Sequence, residues 1–206
     1  MCEIAEMSAH KGVFALVGTH PRLTRLVAAM ERTVFIEDEV LSLVQYTHDD
    51  DMDWHHCWMD ADTQRGYNVK FDHRTFDPSQ RQDISRFPFW ATIYDKKNRQ
   101  FVGVVRLSPP PYDDCDLAIW IYKPYRKMGY GTRAFRLGVL YCIENLGLEK
   151  VGAGCYADNL ASRKMLEKIG FVRAEESDNH ETNVFTGEPI VQQAYVITKN
   201  DVKPQD

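Results

Sequence analysis

An apolar stretch over residues 116–122 runs into Arg126-Lys127-Met128-Gly129-Tyr130-Gly131-Thr132, and then into a helical pattern with Phe135, Gly138, Val139, Cys142, Ile143 and Leu146 along one side. Strand, glycine turn and helix in that order form one physical device. Successive backbone N–H groups and the helix N-terminus point at one place, and that place attracts phosphate. Gly129 and Gly131 let the backbone approach an anion and take positive φ, while Arg126, Lys127 and Thr132 add charge or a hydroxyl donor. Two glycines also suit a purely structural turn. Gly129-Tyr-Gly-Thr-Arg-Ala134 satisfies G-x-G-x-x-A as well, the dinucleotide fingerprint of doubly wound folds.

The surroundings speak against a doubly wound fold. That fingerprint normally sits on the first strand of its domain and needs further strand-helix-strand crossovers after it. Here strand patterns over 89–94 and 101–107, joined as a hairpin through Lys96-Lys97-Asn98-Arg99, come first. After the helix stops at Gly147, a strand over 151–156 and a helix over 159–169 closed by Gly170 follow. Two last strands, 171–174 and 190–198, have no helix-length segment between them. Upstream, an apolar strand within 39–46 leads to Thr47-His48-Asp49-Asp50, a capping box opening a helix to about Met59. Residues 60–86 read as loop with one short helix, and 22–33 carry a helical pattern of no assigned role.

Thirty acidic residues against twenty-five basic ones leave no positive field for a free nucleic acid, which is not expected as a partner. The five cysteines lack any C-x-x-C pairing, so reduced thiols in a cytoplasmic setting fit better than disulfides or zinc. No apolar run approaches the roughly 20 residues of a membrane span, and no membrane partner is expected. The cluster His48, Asp49, Asp50, Asp51, Asp53, His55 and His56 matches no metal-ligand spacing. It reads as a solvated helix start, and no metal is expected.

Two motifs together resemble a known family. Asp116-Leu-Ala-Ile-Trp-Ile-Tyr-Lys-Pro-Tyr-Arg126-Lys-Met-Gly129-Tyr-Gly131-Thr132 is similar to the strand, pyrophosphate loop and helix start of the Gcn5-related N-acetyltransferases (GNAT). Asn159-Leu-Ala-Ser162-Arg-Lys-Met-Leu-Glu167-Lys-Ile-Gly170-Phe171 is similar to their second motif, and the likeness is to the ribosomal-protein N-terminal acetyltransferase branch. More weakly, Asp60-Ala-Asp-Thr-Gln-Arg-Gly-Tyr67-Asn68 looks like the substrate-side loop.

The resemblance implies an α+β fold: a mixed, mostly antiparallel sheet of six to seven strands flanked by helices, with strands splayed at the coenzyme site. The domain would span 37–200, with an extension over 1–36 and a tail over 201–206. It implies acetyl transfer from acetyl-coenzyme A to a primary amine, the acceptor being a small molecule or a protein N-terminus, with a homodimer as an open option. Backbone of Ile119, Ile121 and Tyr122 would pair with the pantetheine arm. Arg126, Lys127, Met128, Gly129, Tyr130, Gly131 and Thr132 would hold the pyrophosphate. Asn159 and Ser162 would face the thiol end, although their polarity also suits simple helix capping.

Transfer to an amine needs a base, donors for the developing oxyanion and a proton for the leaving thiolate. Asp116 is one candidate base, although Asp113, Asp114 and Asp116 also read as a solvated strand end. Glu181 is a second, matched to the ribosomal-protein branch by spacing in the loop between the last two strands. Where some relatives carry an acid tyrosine this chain has Leu166, so Ser162, Tyr156 or solvent must supply the proton. Trp54 and Trp58, one helical turn apart, read as a buried face or as part of an acceptor pocket. A non-catalytic acyl-coenzyme A binding module is the alternative, and a dinucleotide-dependent oxidoreductase the third.

Overall fold

The computed structural model describes residues 32–72, 75–109 and 116–203. Most of the extension expected over 1–36, nearly all of the helical pattern over 22–33, and Asp113 and Asp114 lie outside these residues.

Five antiparallel strands form one sheet in chain order: β1 (Val34–Glu37), β2 (Leu41–Gln45), β3 (Trp90–Asp95), β4 (Gln100–Leu107) and β5 (Leu117–Ile121). Between β2 and β3 lie helices α1 (Asp51–Met59) and α2 (Ala61–Gly66). Helix α3 (Tyr130–Glu144) follows β5, then β6 (Lys150–Tyr156), α4 (Leu160–Ile169), β7 (Val172–Arg173), β8 (Asn179–Thr182) and β9 (Pro189–Thr198). In the second antiparallel sheet β9 is central, paired with β6 on one edge and with β7 and β8 on the other.

This is the expected α+β class, with two strands more than the sequence pattern gave. β1 reads VFIE and β8 reads NHET, the first too short and the second too short and too polar to carry a usable alternation. Glu181 therefore sits on β8 rather than in a plain loop between the last two strands.

Alternation along the strands gives the first sheet two buried faces. Ala91 and Ile93 of β3 and Leu117 of β5 join the main core with Phe135, Val139 and Cys142 of α3. Trp90 of β3 and Trp120 of β5 face the other way, into an aromatic cluster with Tyr46 and Cys57 that α1 covers through Trp54 and Trp58. Each large apolar side chain so buried stabilises the fold by about 1.5–3 kcal/mol.

Helix α3 approaches its sheet closely because residue 138 is glycine. A Cβ there would meet Val105 Cγ1 at 3.0 Å and Leu117 Cδ2 at 3.2 Å. Helix α4 begins with the Asn159 side chain accepting from Ser162 N at 3.1 Å, and ends at Gly170 with φ of 120°. The described cysteines Cys57, Cys142 and Cys155 are buried free thiols. No described helix is long and apolar enough to cross a membrane.

Candidate active site

The two sheets part between β5 and β6. These neighbours run parallel and share one bridge, Asp116 with Gly152, after which β5 belongs to one sheet and β6 to the other. Beyond the bridge a strand edge is left open. Tyr122 N donates to Val102 O (3.0 Å) and Asp116 O accepts from Ser108 N (2.8 Å), so the even-numbered residues of β5 turn their backbone groups toward β4. By alternation Ile119 and Ile121 turn theirs into the opening.

The chain itself already occupies the carbonyls of that edge. Tyr67 Oη donates to Ile119 O (2.7 Å), and Arg126 Nε donates to Ile121 O (3.1 Å). Burial raises the Tyr67 phenol well above its usual range, which keeps it a donor. What remains along the opening is the amide protons of Ile119 and Ile121, suited to carbonyl groups of an extended ligand. Tyr122, expected to share this role, spends its N–H on β4 and cannot.

At the far end of β5 stands the glycine turn. Lys127 has φ of 63° and Gly129 φ of 86°, so two left-handed residues curl the backbone immediately before α3. Gly129 is the N-cap of α3, with no side chain capping the helix, and a Cβ on it would meet nothing within 4 Å. Among the described residues the N–H groups from Met128 to Thr132 have no acceptor outside the helix. Open space in front of free N–H groups at a helix start is what an anion requires.

Two side chains of the turn are directed elsewhere. Tyr130 is buried and donates to Asp95 Oδ2 at 2.5 Å, tying the turn to the β3–β4 hairpin, so only its backbone is available to a ligand. Arg126 gives Nη1 to Asp60 Oδ2 (2.7 Å) and Nη2 to Thr63 Oγ1 (2.7 Å), in addition to its bond with Ile121. Three of its N–H groups thus hold β5, the turn and the start of α2 together. Lys123 adds a further bond to Asp60 Oδ1 at 2.8 Å.

Across the opening, Tyr156 at the end of β6 donates to Glu181 Oε2 (2.8 Å), which also accepts from Asn68 Nδ2 (3.1 Å). Asn68, buried and with φ of 50°, bonds to Thr182 O and Val184 N as well. Tyr67 and Asn68 therefore straddle the split, one fastened to β5 and the other to β8. Burial and the Glu181 carboxylate raise the Tyr156 phenol above its ordinary value. Asp116 is exposed and sits at the closed end of the split, three residues from Ile119, about 10 Å along an extended strand. Ser162 lies in the first turn of α4 beside Cys155, and Asn159 caps that helix as its polarity suggested. Leu166 is buried in the core.

The acidic start of α1 is solvated only in part: His48, Asp49 and His56 are exposed as the sequence reading has it, but Asp50, Asp51 and His55 are not. Asp50 is buried and accepts from Arg32 Nη1 (2.6 Å), Thr92 Oγ1 (2.8 Å) and Thr47 N (3.1 Å). Asp51 is buried with Tyr46 Oη at 2.7 Å and Arg81 Nε at 2.7 Å, and His55 is buried too. The carboxylates lie beneath the first turn, where Tyr46 just past β2 and Thr92 of β3 reach them, and among the described residues no group of three ligating side chains could hold a metal. Trp54 and Trp58 belong to the aromatic cluster and also line a cavity of about 280 Å³ on that face, with Trp90 and Arg106. Sequence reasoning passed over Arg106, whose signal was a lone charge at an inward-facing position of the apolar strand β4.

The family model described as "Acetyltransferase (GNAT) domain" matches residues 35–172. An acetyltransferase of the GNAT family from Bacillus anthracis superposes with a TM-score of 0.66 at 16% identity, over 80% of this chain and 98% of that one. Spermidine N-acetyltransferase from Vibrio cholerae, solved with CoA and spermine, gives 0.65 at 15% identity over 80% and 98%. Ribosomal-protein-S5-alanine acetyltransferase from Vibrio fischeri gives 0.63 at 17% identity over 82% and 98%. No curated protein matches the sequence.

Proposed function

Because the chain belongs to the GNAT acetyltransferase family, we propose that it is an acetyl-coenzyme A-dependent N-acetyltransferase acting in the cytoplasm on a primary amine. The observation that carries this is the split after the Asp116–Gly152 bridge, with the Ile119 and Ile121 amides along it and the uncapped glycine turn at its open end. The residues fit the coenzyme. The N–H groups of Met128 to Thr132, with Lys127 beside them, would take the pyrophosphate, and Ile119 and Ile121 would pair with the pantetheine amides. Bound there, the coenzyme supplies an activated thioester.

Glu181 is the base this arrangement favours, since it stands with Tyr156 beside the open strands, whereas Asp116 stands at their closed end. Glu181 takes the amine proton as the nitrogen becomes acylated. Tyr156, kept protonated, donates toward the departing sulfur, with Ser162 at the start of α4 as the other hydroxyl on that side. Asn68 holds the Glu181 carboxylate in place.

The test is thiol release from acetyl-coenzyme A with a panel of polyamines, small amines and peptide N-termini. Release that depends on amine and is lost in Gly131→Val supports the reading. Tight coenzyme binding with no release on any amine would instead establish a binding module.

A further inference from the structure

Arg106 projects from β4 into the aromatic cluster, and its surroundings are unusual for a charge. Its guanidinium carbon lies 4.7 Å from the ring centre of Phe87, 5.1 Å from Trp90, 5.3 Å from Trp120 and 5.9 Å from Trp54. Its hydrogen-bond partner is neutral, Gln82 Oε1 at 2.8 Å, and among the described residues no carboxylate pairs with it. Desolvation pulls its pKa below the ordinary arginine value. Charges withdrawn from water are normally paired, because aromatic faces return only part of the lost hydration.

Arg106 lines the 280 Å³ cavity, and the acids there are engaged elsewhere. Asp51 is held by Arg81 and Tyr46, and Asp77 Oδ1 takes the N–H of Ser79 in its own turn. A second donor lies among the lining residues: the buried indole N–H of Trp90 has no acceptor. Two donors and no free acid on aromatic walls fit an anion carried on an apolar body. The guanidinium sits above β4, between Trp90 of β3 and Trp120 of β5. From there one strand spacing leads to β5 and a second to a ligand laid along its open edge, about 10 Å in all.

We infer that the acceptor is an amine whose far end carries a carboxylate, seated on Arg106 in this aromatic cavity while the amine reaches the split. This rests on the transferase reading above and names the substrate class of that site. An α-amino acid is too short to span the distance, and polyamines would place a cation against Arg106.

The experiment compares ω-amino carboxylates of increasing length, their primary amides and the matching diamines as acceptors, on the full chain and on Arg106→Gln. In the parent, kcat/KM should peak at a length near 10 Å and exceed that of the matching amide by about tenfold or more, as expected for a charge-assisted pair. Arg106→Gln should erase that preference through KM for the carboxylate, leaving the amide's KM and acetyl-coenzyme A affinity unchanged, with Arg106→Lys recovering part of it. Equal use of carboxylate, amide and diamine by the parent overturns the inference, as does an equal loss on all acceptors in Arg106→Gln. Calorimetry with an aryl-alkanoate lacking an amine separates the two readings. Arg106-dependent binding without thiol release on any amine would retain the cavity's specificity and reject transfer, while release without carboxylate preference or aryl-alkanoate binding would do the reverse.

Discussion

Tyr156 donates its phenolic proton to Glu181 at 2.8 Å, joining the end of β6 to β8 beside the open strand edge. The bond keeps a protonated phenol next to a carboxylate, so that one acid and one base stand together. Glu181→Gln preserves the shape and the Asn68 contact while removing the base. Turnover should fall about 100- to 10,000-fold with coenzyme affinity intact, the range for general base catalysis. Rates measured from pH 6 to 10 should recover part of the loss at high pH, where the free amine needs no help. A variant with parental rates across that range would remove Glu181 from the mechanism.

Asp116→Asn is the companion measurement. Asp116 is exposed at the closed end of the split, where a carboxylate is about 10 Å along the strand from Ile119, the nearer of the two residues that would pair with the pantetheine arm. Turnover should stay within about threefold of the parent, well below a general-base effect. A drop as deep as that of Glu181→Gln, with unchanged coenzyme binding, would transfer the base role to Asp116.

Gly131→Val should fold as the parent does. A Cβ at 131 meets Met165 Sδ at 3.6 Å and Ile121 Cγ1 at 3.7 Å, ordinary contacts for the Cβ itself, and the γ-methyls of valine then crowd the space beside the turn. Acetyl-coenzyme A affinity by calorimetry should drop about tenfold or more, from lost charge-assisted bonds. Parental affinity in a folded variant would refute the phosphate assignment.

Asp60 gives a pH signature. Its carboxyl lies well below the usual range: burial works to raise it, and the donors Lys123, Arg126 and Thr63 N outweigh burial. A depressed folded pKa contributes stability in full above the unfolded value of about 4, and loses it as pH falls toward the folded one. Asp60→Asn should therefore unfold more easily at pH 7, by about 1–3 kcal/mol. The gap to the parent in denaturant titrations should begin to narrow as pH falls below about 4 and go on narrowing toward the folded value. A gap that stays constant from about pH 5 down to about pH 2 would show that packing, not charge, is what the variant lost.

The parts of the fold legible in the sequence were those with a strong local signature. Gly147 and Gly170 end helices with φ of 72° and 120°, and the spacing of Phe135, Gly138, Val139 and Cys142 marked the buried face of α3. The glycine turn was legible because its left-handed backbone is a shape that few residues allow. The structural partners of Arg126 were hidden for the opposite reason. A cation beside a phosphate loop looks like a ligand-binding group, but its partners Asp60 and Thr63 stand more than sixty positions earlier in the chain. The same distance hid the buried state of Asp50, whose donor Thr92 lies forty-two residues on, and the pairing of Asn68 with Glu181. Contacts made by tertiary folding leave no periodicity to read.

The split between the sheets also bears on how the protein responds to heat. A continuous sheet would share its ladder across β5 and β6, whereas here one bridge carries the backbone connection and the side chains under α3 carry the rest. An extended ligand laid along Ile119 and Ile121 acts as an absent strand. Its binding energy then adds to the resistance of the whole molecule to unfolding, about 2.7 kcal/mol at one hundred times its dissociation constant. The amides of those two isoleucines become the natural reporters, exchanging with solvent deuterium quickly in the empty chain and slowly once the opening is filled.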